Sequence, residues 1–298
     1  MNAMSLVVVL DLAVGDGLTL HQAAEVADAA RDAGVSAIRV SDGPPGELAL
    51  LDAGAVASFL AARHPDLNWI VDAPTTHNAP YNLARRSIAL NRATGGRAGL
   101  ALRAGDGDDV TETLAEDLPR PGLPVDVGGA ARPHRWTEYA QILAGLWGSE
   151  PVDHDGRFYR VAADPVGEGR PVLVADARDH VNWVEAARLA DVFVVPRIEL
   201  VDGGNTRLTD AVWHSGRRRD QITLLARAGI VRENGRSTAA ELGRWATAHA
   251  LDGLELATTG GRDELLGVLR SVVPRLEPVT GATLRAALGL PEGVVVPA

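Results

Sequence analysis

Short apolar runs recur along this chain, and each is followed by a segment with helical spacing. The first run, Leu6 to Leu10, is rich in valine and shows no polar alternation, as in parallel strands that are buried on both faces. The eight candidate strands are Leu6–Leu10, Ala37–Val40, Asn68–Val71, Ala98–Leu102, Val172–Val174, Val192–Val195, Ile222–Leu225 and Leu254–Leu256. Their alternation with helices predicts an α/β fold, a (β/α)8 TIM barrel.

Local signals mark where several helices begin and end. Thr19 and Gln22 have the spacing of a capping box, and Gly34 is placed to end the first helix. Pro80 suits the first turn of the third helix, where its missing N–H costs nothing. A second capping box, Thr238 to Glu241, predicts the start of a late helix.

A doubly wound open sheet is the alternative architecture for alternating strands and helices. No glycine-rich dinucleotide fingerprint follows any of the strands, which favours the barrel. The chain has 298 residues, a length that suits one α/β barrel. No linker or break in composition interrupts it, so we expect a single domain over residues 1–298.

One stretch departs from simple alternation. Residues 105–171 separate the fourth strand from the fifth and contain a predicted helix over Pro133 to Trp147. Val152 to Tyr159 then reads as two extended arms around an Asp-Gly turn. The sequence therefore predicts a small helix–hairpin insertion between strands 4 and 5.

Composition excludes several classes of function. The formal net charge of −10 argues against nucleic acid as a partner. The chain has no cysteine, which rules out disulfides, thiol catalysis and thiolate metal sites. No apolar run approaches the ~18 residues needed to span a membrane, and the first segment lacks the basic start of a signal peptide. We therefore expect a cytoplasmic protein without a membrane partner.

Three ordered segments resemble one known family. They are PYNLARRSIALNRATGGRAG, RWTEYAQILAGLWGSEPVDHDGRFYRV and VVPRLEPVTGATLRAALGLP, and AARLADVFVV also fits. Together they resemble the luciferase-like flavin-dependent monooxygenases, nearest the nitrilotriacetate and dibenzothiophene-sulfone monooxygenase subgroup. The resemblance spans nearly the whole chain and implies the same barrel.

The resemblance also implies a function and a site. Its members bind reduced FMN, supplied by a flavin reductase, at the carboxyl-terminal mouth of the barrel and use O₂ to oxidise a small organic substrate. Carried over position by position, the cofactor contacts fall on Asp42, Asp72, Thr75, Ala101, Arg103, Arg132, Trp136, Ala177, Arg178 and Asp179. No catalytic residue is assigned.

Most of the polar FMN contacts of the family are replaced in this chain. The phosphate-binding turn falls on Arg178 and Asp179, and a carboxylate there would repel a phosphate. Asp179 suits the N-cap of the helix after the fifth strand, which would occupy the N–H groups that a phosphate needs. The alternatives are a degenerate flavin site, in a non-catalytic subunit or a binder of another ligand, and a deazaflavin-dependent reductase.

The ends of the predicted strands carry several charged residues. Asp11, Asp42, Asp72, Arg103 and Asp176 all follow apolar strand cores, so we expect them to line one ligand pocket at the mouth. Capping of helices, or pairing with arginines, is the competing interpretation of the carboxylates. No His-x-His or His-Glu-x-x-His spacing supports a metal site, and we expect none.

Small residues on two early helices predict self-association or pairing with a related chain. Alanines recur over residues 23–33 and 53–62, which permits close contact between helices. Pairing at the early helices and the third helix is also what the resemblance implies, so we expect a dimer.

Overall fold

Eight parallel strands close into a barrel in the order β1-β10-β9-β8-β7-β4-β3-β2. The computed structural model describes residues 6–14, 18–41, 51–75, 78–104, 132–167, 169–196, 203–230, 235–258 and 261–292. The barrel strands are β1 (Val7–Ala13), β2 (Ala37–Ser41), β3 (Trp69–Pro74), β4 (Ala98–Arg103), β7 (Val172–Asp176), β8 (Val192–Pro196), β9 (Thr223–Gly229) and β10 (Gly253–Ala257). The predicted (β/α)8 barrel is confirmed.

Helices follow the strands around the outside of this barrel. They are α1 (Leu20–Ala33), α2 (Ala53–Arg63), α3 (Pro80–Ala93), α4 (Arg132–Leu146), α5 (Trp183–Leu189), α6 (Gly204–His214), α7 (Gly235–Ala248), α8 (Arg262–Ser271) and α9 (Leu284–Ala287). Within the described ranges, no helix has both the length and the apolar character that crossing a bilayer requires.

The predicted insertion after the fourth strand is present. It consists of α4 and an antiparallel hairpin of β5 (Val152–Asp155) and β6 (Arg160–Ala163). The second arm begins at Arg160, later than expected, because the preceding residues turn back over α4. There the Glu138 carboxylate accepts the backbone N–H groups of Arg157 at 3.1 Å and Tyr159 at 2.8 Å. A Cβ at Gly156 would collide with that carboxylate, which explains the glycine.

The predicted helix signals have mixed outcomes. Thr19 and Gln22 form the expected capping box, Gly34 ends α1 at a φ of +76°, and Pro80 opens α3. The second predicted capping box is wrong in position, because α7 begins at Gly235 and Thr238 lies inside it.

The half of the barrel interior nearer the amino-terminal ends of the strands is apolar. Val9 on β1, Ile70 on β3 and Val174 on β7 belong to one buried cluster, with residues from four further strands. Leu284 and Leu288 of the carboxyl-terminal segment pack into the same cluster. The amino-terminal end of the barrel is therefore closed by the last helix, and a site inside the barrel can open only at the opposite end.

Several strands extend further than the apolar runs predicted. β1 continues to Ala13, β3 to Pro74 and β7 to Asp176. The extensions place charged side chains within the sheet, where the sequence suggested loops. Burial of such groups requires partners of opposite charge.

Candidate functional site

Charged side chains line the half of the barrel interior nearer the carboxyl-terminal ends of the strands. Side chains of a strand alternate between its two faces, so the residue two positions after an inward apolar residue also points inward. The inward positions above the apolar cluster are Asp11 on β1, Arg39 on β2, Asp72 on β3, Arg103 on β4, Asp176 on β7, Pro196 on β8, Arg227 on β9 and Glu255 on β10. Seven of the eight strands thus contribute an ionisable group to one ring.

Arg39 lies at the centre of this ring and is fully buried. Its Nε donates to Asp72 Oδ1 at 2.6 Å, and its Nη2 donates to Asp72 Oδ2 at 3.2 Å. Its Nη1 donates to Glu255 at 2.8 Å and to Asp176 at 3.2 Å. One guanidinium therefore joins carboxylates from three strands, and all three carboxylates are themselves buried.

Three more arginines donate hydrogen bonds to the same carboxylates from the side of the barrel mouth. Arg103 donates to Asp72 at 3.2 Å. Arg178 donates through Nε to Asp176 at 2.9 Å. Arg227 donates to Glu255 and also to Asp11, a carboxylate that accepts a further bond from Ser41 at 2.7 Å. These arginines keep between 22% and 34% of their side chains exposed, so they form the rim of the network.

The pKa values in the network follow from this pairing. Burial alone would lower the pKa of Arg39, but Asp72, Glu255 and Asp176 outweigh it and hold the pKa well above its ordinary value. Burial alone would raise the pKa of Asp176, but the hydrogen bond from Arg178 and the charge of Arg39 hold it well below its usual range. Both groups are therefore ionised at neutral pH.

Asp179 also belongs to the described network. Arg103 also makes a two-pronged contact with Asp179, at 2.9 and 3.2 Å. With that residue included, four arginines meet five carboxylates, and the formal charge is −1. In the described ranges no group of three or more His, Cys, Asp or Glu side chains is arranged to hold a metal ion.

The pocket residues expected at the mouth do come together. Asp11, Asp72, Arg103 and Asp176 all lie at the carboxyl-terminal end of the barrel and belong to the ion-pair network. Asp72 pairs with Arg103, Asp11 pairs with Arg227, and Asp176 pairs with Arg39 and Arg178, which matches the interpretation that the carboxylates pair with arginines. Asp42 lies outside the described residues.

The remaining predicted cofactor positions are mostly buried. Thr75 is fully buried, Ala101 belongs to the apolar cluster inside the barrel, and Ala177 keeps 7% of its surface exposed. Trp136 is fully buried, and its Nε1 donates to the Leu102 carbonyl at 2.9 Å. Arg132 begins α4, and its side chain lies outside the described part of the structure.

The expectation that Asp179 caps the helix after the fifth strand is wrong. Asp176 caps a short 3₁₀ turn, Ala177–Asp179, and the N-cap of α5 is Asn182, which accepts from two backbone N–H groups at 3.0 and 3.2 Å. Asp179 instead turns inward to Arg103, because a carboxylate buried at that depth is stabilised by a full opposite charge more than by a helix end.

Sequence reasoning missed Arg39, Arg227 and Glu255. Arg39 and Glu255 lie inside runs that were interpreted as apolar strands, and Arg227 lies two residues beyond the run Ile222–Leu225, in the extension of β9. All three belong to the network. A charged residue between apolar neighbours in a strand buried on both faces is itself a signal, since such a group must find a partner. Its partner cannot be read from the pattern.

A second concave feature lies outside the barrel. A groove of about 720 Å³ runs between α2 and α3, with Val71 and Leu100 among the residues at its floor. Most of its wall residues are alanine, glycine or serine. Phe59 on α2 and Tyr81 on α3 keep 42% and 39% of their surfaces exposed, which is high for large apolar residues.

Comparison with known proteins places the chain in a family. The model of the luciferase-like monooxygenases matches residues 4–271, and the chain belongs to this family, as its three motifs suggested. No curated protein sequence matches the chain.

Solved structures share the fold at low sequence identity. EDTA monooxygenase (EmoA) from Chelativorans sp. BNC1 is 19% identical with a TM-score of 0.78, over 96% of this chain and 98% of that one. DmoA from Hyphomicrobium sulfonivorans is 14% identical with a TM-score of 0.77, over 97% and 93%. The coenzyme F420-dependent tetrahydromethanopterin reductase from Methanopyrus kandleri is 14% identical with a TM-score of 0.61, over 91% and 98%.

The described residues do not fit FMN in the manner that the family resemblance implies. The expected contacts at Asp72, Thr75, Ala101, Trp136 and Asp179 are all buried, and the two acidic ones already hold arginines. A phosphate dianion would meet a network of net negative charge whose four arginines are already paired. At a partly buried site, the negative charges of the phosphate and of the neighbouring carboxylates would repel each other by several kcal/mol.

Proposed function

We propose that this protein is a luciferase-like barrel with a degenerate flavin site, which does not catalyse a flavin-dependent reaction. The observation that carries the proposal is the network around Arg39. It replaces an open mouth lined by neutral hydrogen-bonding groups with paired charges from seven strands.

Flavin binding tests this proposal directly. The protein is titrated with oxidised FMN, followed by flavin fluorescence or absorbance near 450 nm, and with reduced FMN under anaerobic conditions and coenzyme F420, each followed by titration calorimetry. We expect no saturation below millimolar FMN. Saturation at micromolar FMN would refute the proposal and support an active flavoprotein.

A variant that opens the network makes the test sharper. Asp179→Ser removes one carboxylate and releases the guanidinium of Arg103, which could then face a phosphate. We expect FMN to bind this variant about 10-fold more tightly than the wild type, equivalent to ~1.4 kcal/mol. Asp220→Ser, which removes an exposed carboxylate paired with Arg218, is the control and should leave binding unchanged.

An FMN-dependent oxidoreductase of the monooxygenase type is the second candidate. The family match and the partly exposed guanidiniums of Arg103 and Arg178 favour it. Such an enzyme would take reduced flavin from a reductase and use O₂ on a small organic substrate. An F420-dependent reductase is the third possibility, since a structural neighbour uses that deazaflavin. Oxygen uptake with reduced FMN, above the rate without protein, would support the monooxygenase.

We also propose that two copies of the chain pair through the groove between α2 and α3. The surface is suited to a twofold contact with itself, because the small residues that line the groove permit the helices of two copies to approach closely. Asp52 and Arg86 both line the groove, so each copy would bring a charge of each sign.

Sedimentation tests the pairing. We expect a species of twice the 31.3 kDa chain mass at micromolar concentration. Ala62→Glu on α2 and Ala89→Glu on α3 place a carboxylate in the groove and should produce monomers. Ala248→Glu, at an exposed position on α7, should not. A wild-type protein that sediments as a monomer would contradict the proposal.

Location and domain organisation remain proposals of the same kind. We propose a cytoplasmic, single-domain protein, and the closed barrel formed by the strands from β1 to β10 supports the single domain. Fractionation of the cells that produce it, and limited proteolysis of the purified chain, would test the two statements separately.

A further inference from the structure

Three arginines surround one carboxylate at the amino-terminal end of the barrel, opposite the mouth. Asp191, which immediately precedes β8, is fully buried. Arg285 of α9 donates to its Oδ1 at 2.8 Å. The guanidinium groups of Arg170 and Arg217 approach the same carboxylate to 3.6 and 3.9 Å.

The charges of this cluster do not balance within the described residues. Three guanidiniums face one carboxylate, which leaves a formal charge of +2, whereas the mouth network carries a small negative charge. Burial, together with the charges of Arg170 and Arg285, lowers the pKa of Arg217 to about 10, although Asp191 opposes the shift. An uncompensated buried guanidinium costs free energy unless an anion accompanies it.

Carbonyl groups satisfy some of the donors. Arg217 donates through Nη1 to the carbonyl of Ala187 at 3.0 Å and also to that of Ala190, and Arg170 donates to that of Leu189. These carbonyls lie at the carboxyl-terminal end of α5, where the helix dipole presents partial negative charge. The dipole accounts for about half a unit of charge.

Other donors of the same arginines have no partner. Nε and Nη1 of Arg170 and Nε of Arg217 are buried nitrogens without a hydrogen-bond acceptor among the described residues. Buried N–H groups are almost always paired. The cluster therefore combines excess positive charge with free donors, which are the two properties of an oxyanion site.

We propose that Arg170, Arg217 and Arg285 form a binding site for a small doubly charged oxyanion, namely sulfate, phosphate or the phosphate group of a monoester. A dianion would neutralise the excess charge and accept the free N–H groups. Arg170 and Arg285 keep 15% and 18% of their side chains exposed, so the cluster reaches the surface where such an ion could enter. The site is distinct from the mouth, but FMN is itself a phosphate monoester, so the FMN titration is repeated with Arg170→Gln, and FMN binding that this variant abolishes belongs to the arginine cluster and not to the mouth.

Anion-dependent stability tests the site. Thermal unfolding is followed at constant ionic strength while chloride is exchanged for sulfate or phosphate, with acetate as a singly charged carboxylate. We expect sulfate and phosphate to raise the Tm by ~2–3 °C at ten times the Kd, and the Tm to keep rising with the logarithm of the anion concentration. Acetate should do much less. Calorimetric titration with sulfate supplies the Kd independently of unfolding.

Arg170→Gln provides the decisive comparison. It removes one of the three charges, and because the cluster carries an excess of positive charge, the variant should fold well in chloride. We expect its sulfate affinity to fall at least 10-fold. Arg218→Gln, which removes an exposed arginine paired with Asp220, should respond to sulfate as the wild type does. The proposal would be overturned if the Tm were the same in sulfate as in chloride, or if acetate raised the Tm as much as sulfate does. It would also be overturned if Arg170→Gln kept the sulfate response of the wild type.

Discussion

Replacement of Arg39 by methionine tests the physical basis of the barrel mouth. The substitution keeps most of the apolar stem and removes the guanidinium that makes four hydrogen bonds to three buried carboxylates. Breaking a buried ion pair by removing one partner costs ~3–5 kcal/mol. Each of the three carboxylates keeps a second arginine at the rim, so we expect the lower end of this range, ~3 kcal/mol, and a fall in Tm of about 5 °C.

The loss of stability caused by Arg39→Met should also depend on pH. Because Arg39 and Arg178 hold the pKa of Asp176 below its usual range, this carboxylate stabilises the wild type above pH ~4 and loses that effect as the pH falls. In the variant, Asp176 no longer has the charge of Arg39 beside it, so its pKa is less depressed, and protonation of Asp176 relieves its repulsion with the neighbouring carboxylates. The difference between wild type and variant should be largest at pH 7 and should shrink toward pH 4.

Urea unfolding at several pH values, followed by circular dichroism, measures both effects. Arg39→Lys keeps the charge without the planar fork and should fall between wild type and Arg39→Met. Arg218→Met, at an exposed pair, is the control and should unfold as the wild type does. A loss below ~1 kcal/mol at pH 7, or a loss that does not change with pH, would show that the network is not a paired buried unit.

Three further predictions concern other parts of the fold. Asn182→Ala removes the α5 cap and should cost ~1 kcal/mol in urea unfolding, and an unchanged midpoint would contradict the cap. Gly99→Ala would place a Cβ 2.7 Å from Leu284 Cδ2 and 2.9 Å from the Val172 carbonyl, so we expect a loss of ~1–3 kcal/mol from overpacking, which a tolerated substitution would disprove. Burial raises the pKa of Tyr159 to about 12, so Tyr159 should ionise late in an ultraviolet titration, and stability should fall as the pH rises above 10; a late component that Tyr159→Phe leaves unchanged would refute this.

The positions of the strands and of most helices could be predicted because their signals are local. Apolar runs report burial on both faces, and Thr19, Gly34 and Pro80 act through backbone groups within a few residues. The helix–hairpin insertion was also predicted from local signals, and the family motifs added the expected place of the cofactor. These signals are carried by neighbours along the chain, so a single sequence contains them.

The chemistry at the mouth could not be predicted in the same way. Asp72 and Asp176 were identified as residues of the mouth, but their shared partner Arg39 comes from a different strand, 33 and 137 positions away. Asp179 is plausible as a helix cap from its local position, and the structure instead turns it toward Arg103.

The sequence by itself determined the barrel and the end of it at which charged residues gather, because alternation and strand order follow from short-range preferences and burial. Only the tertiary structure decided that these residues neutralise one another, and that an unbalanced arginine cluster lies at the other end. The physical reason is that the free energy of a buried charge depends on which opposite charge lies within a few ångströms of it. That distance is set by closure of the sheet, not by separation along the chain.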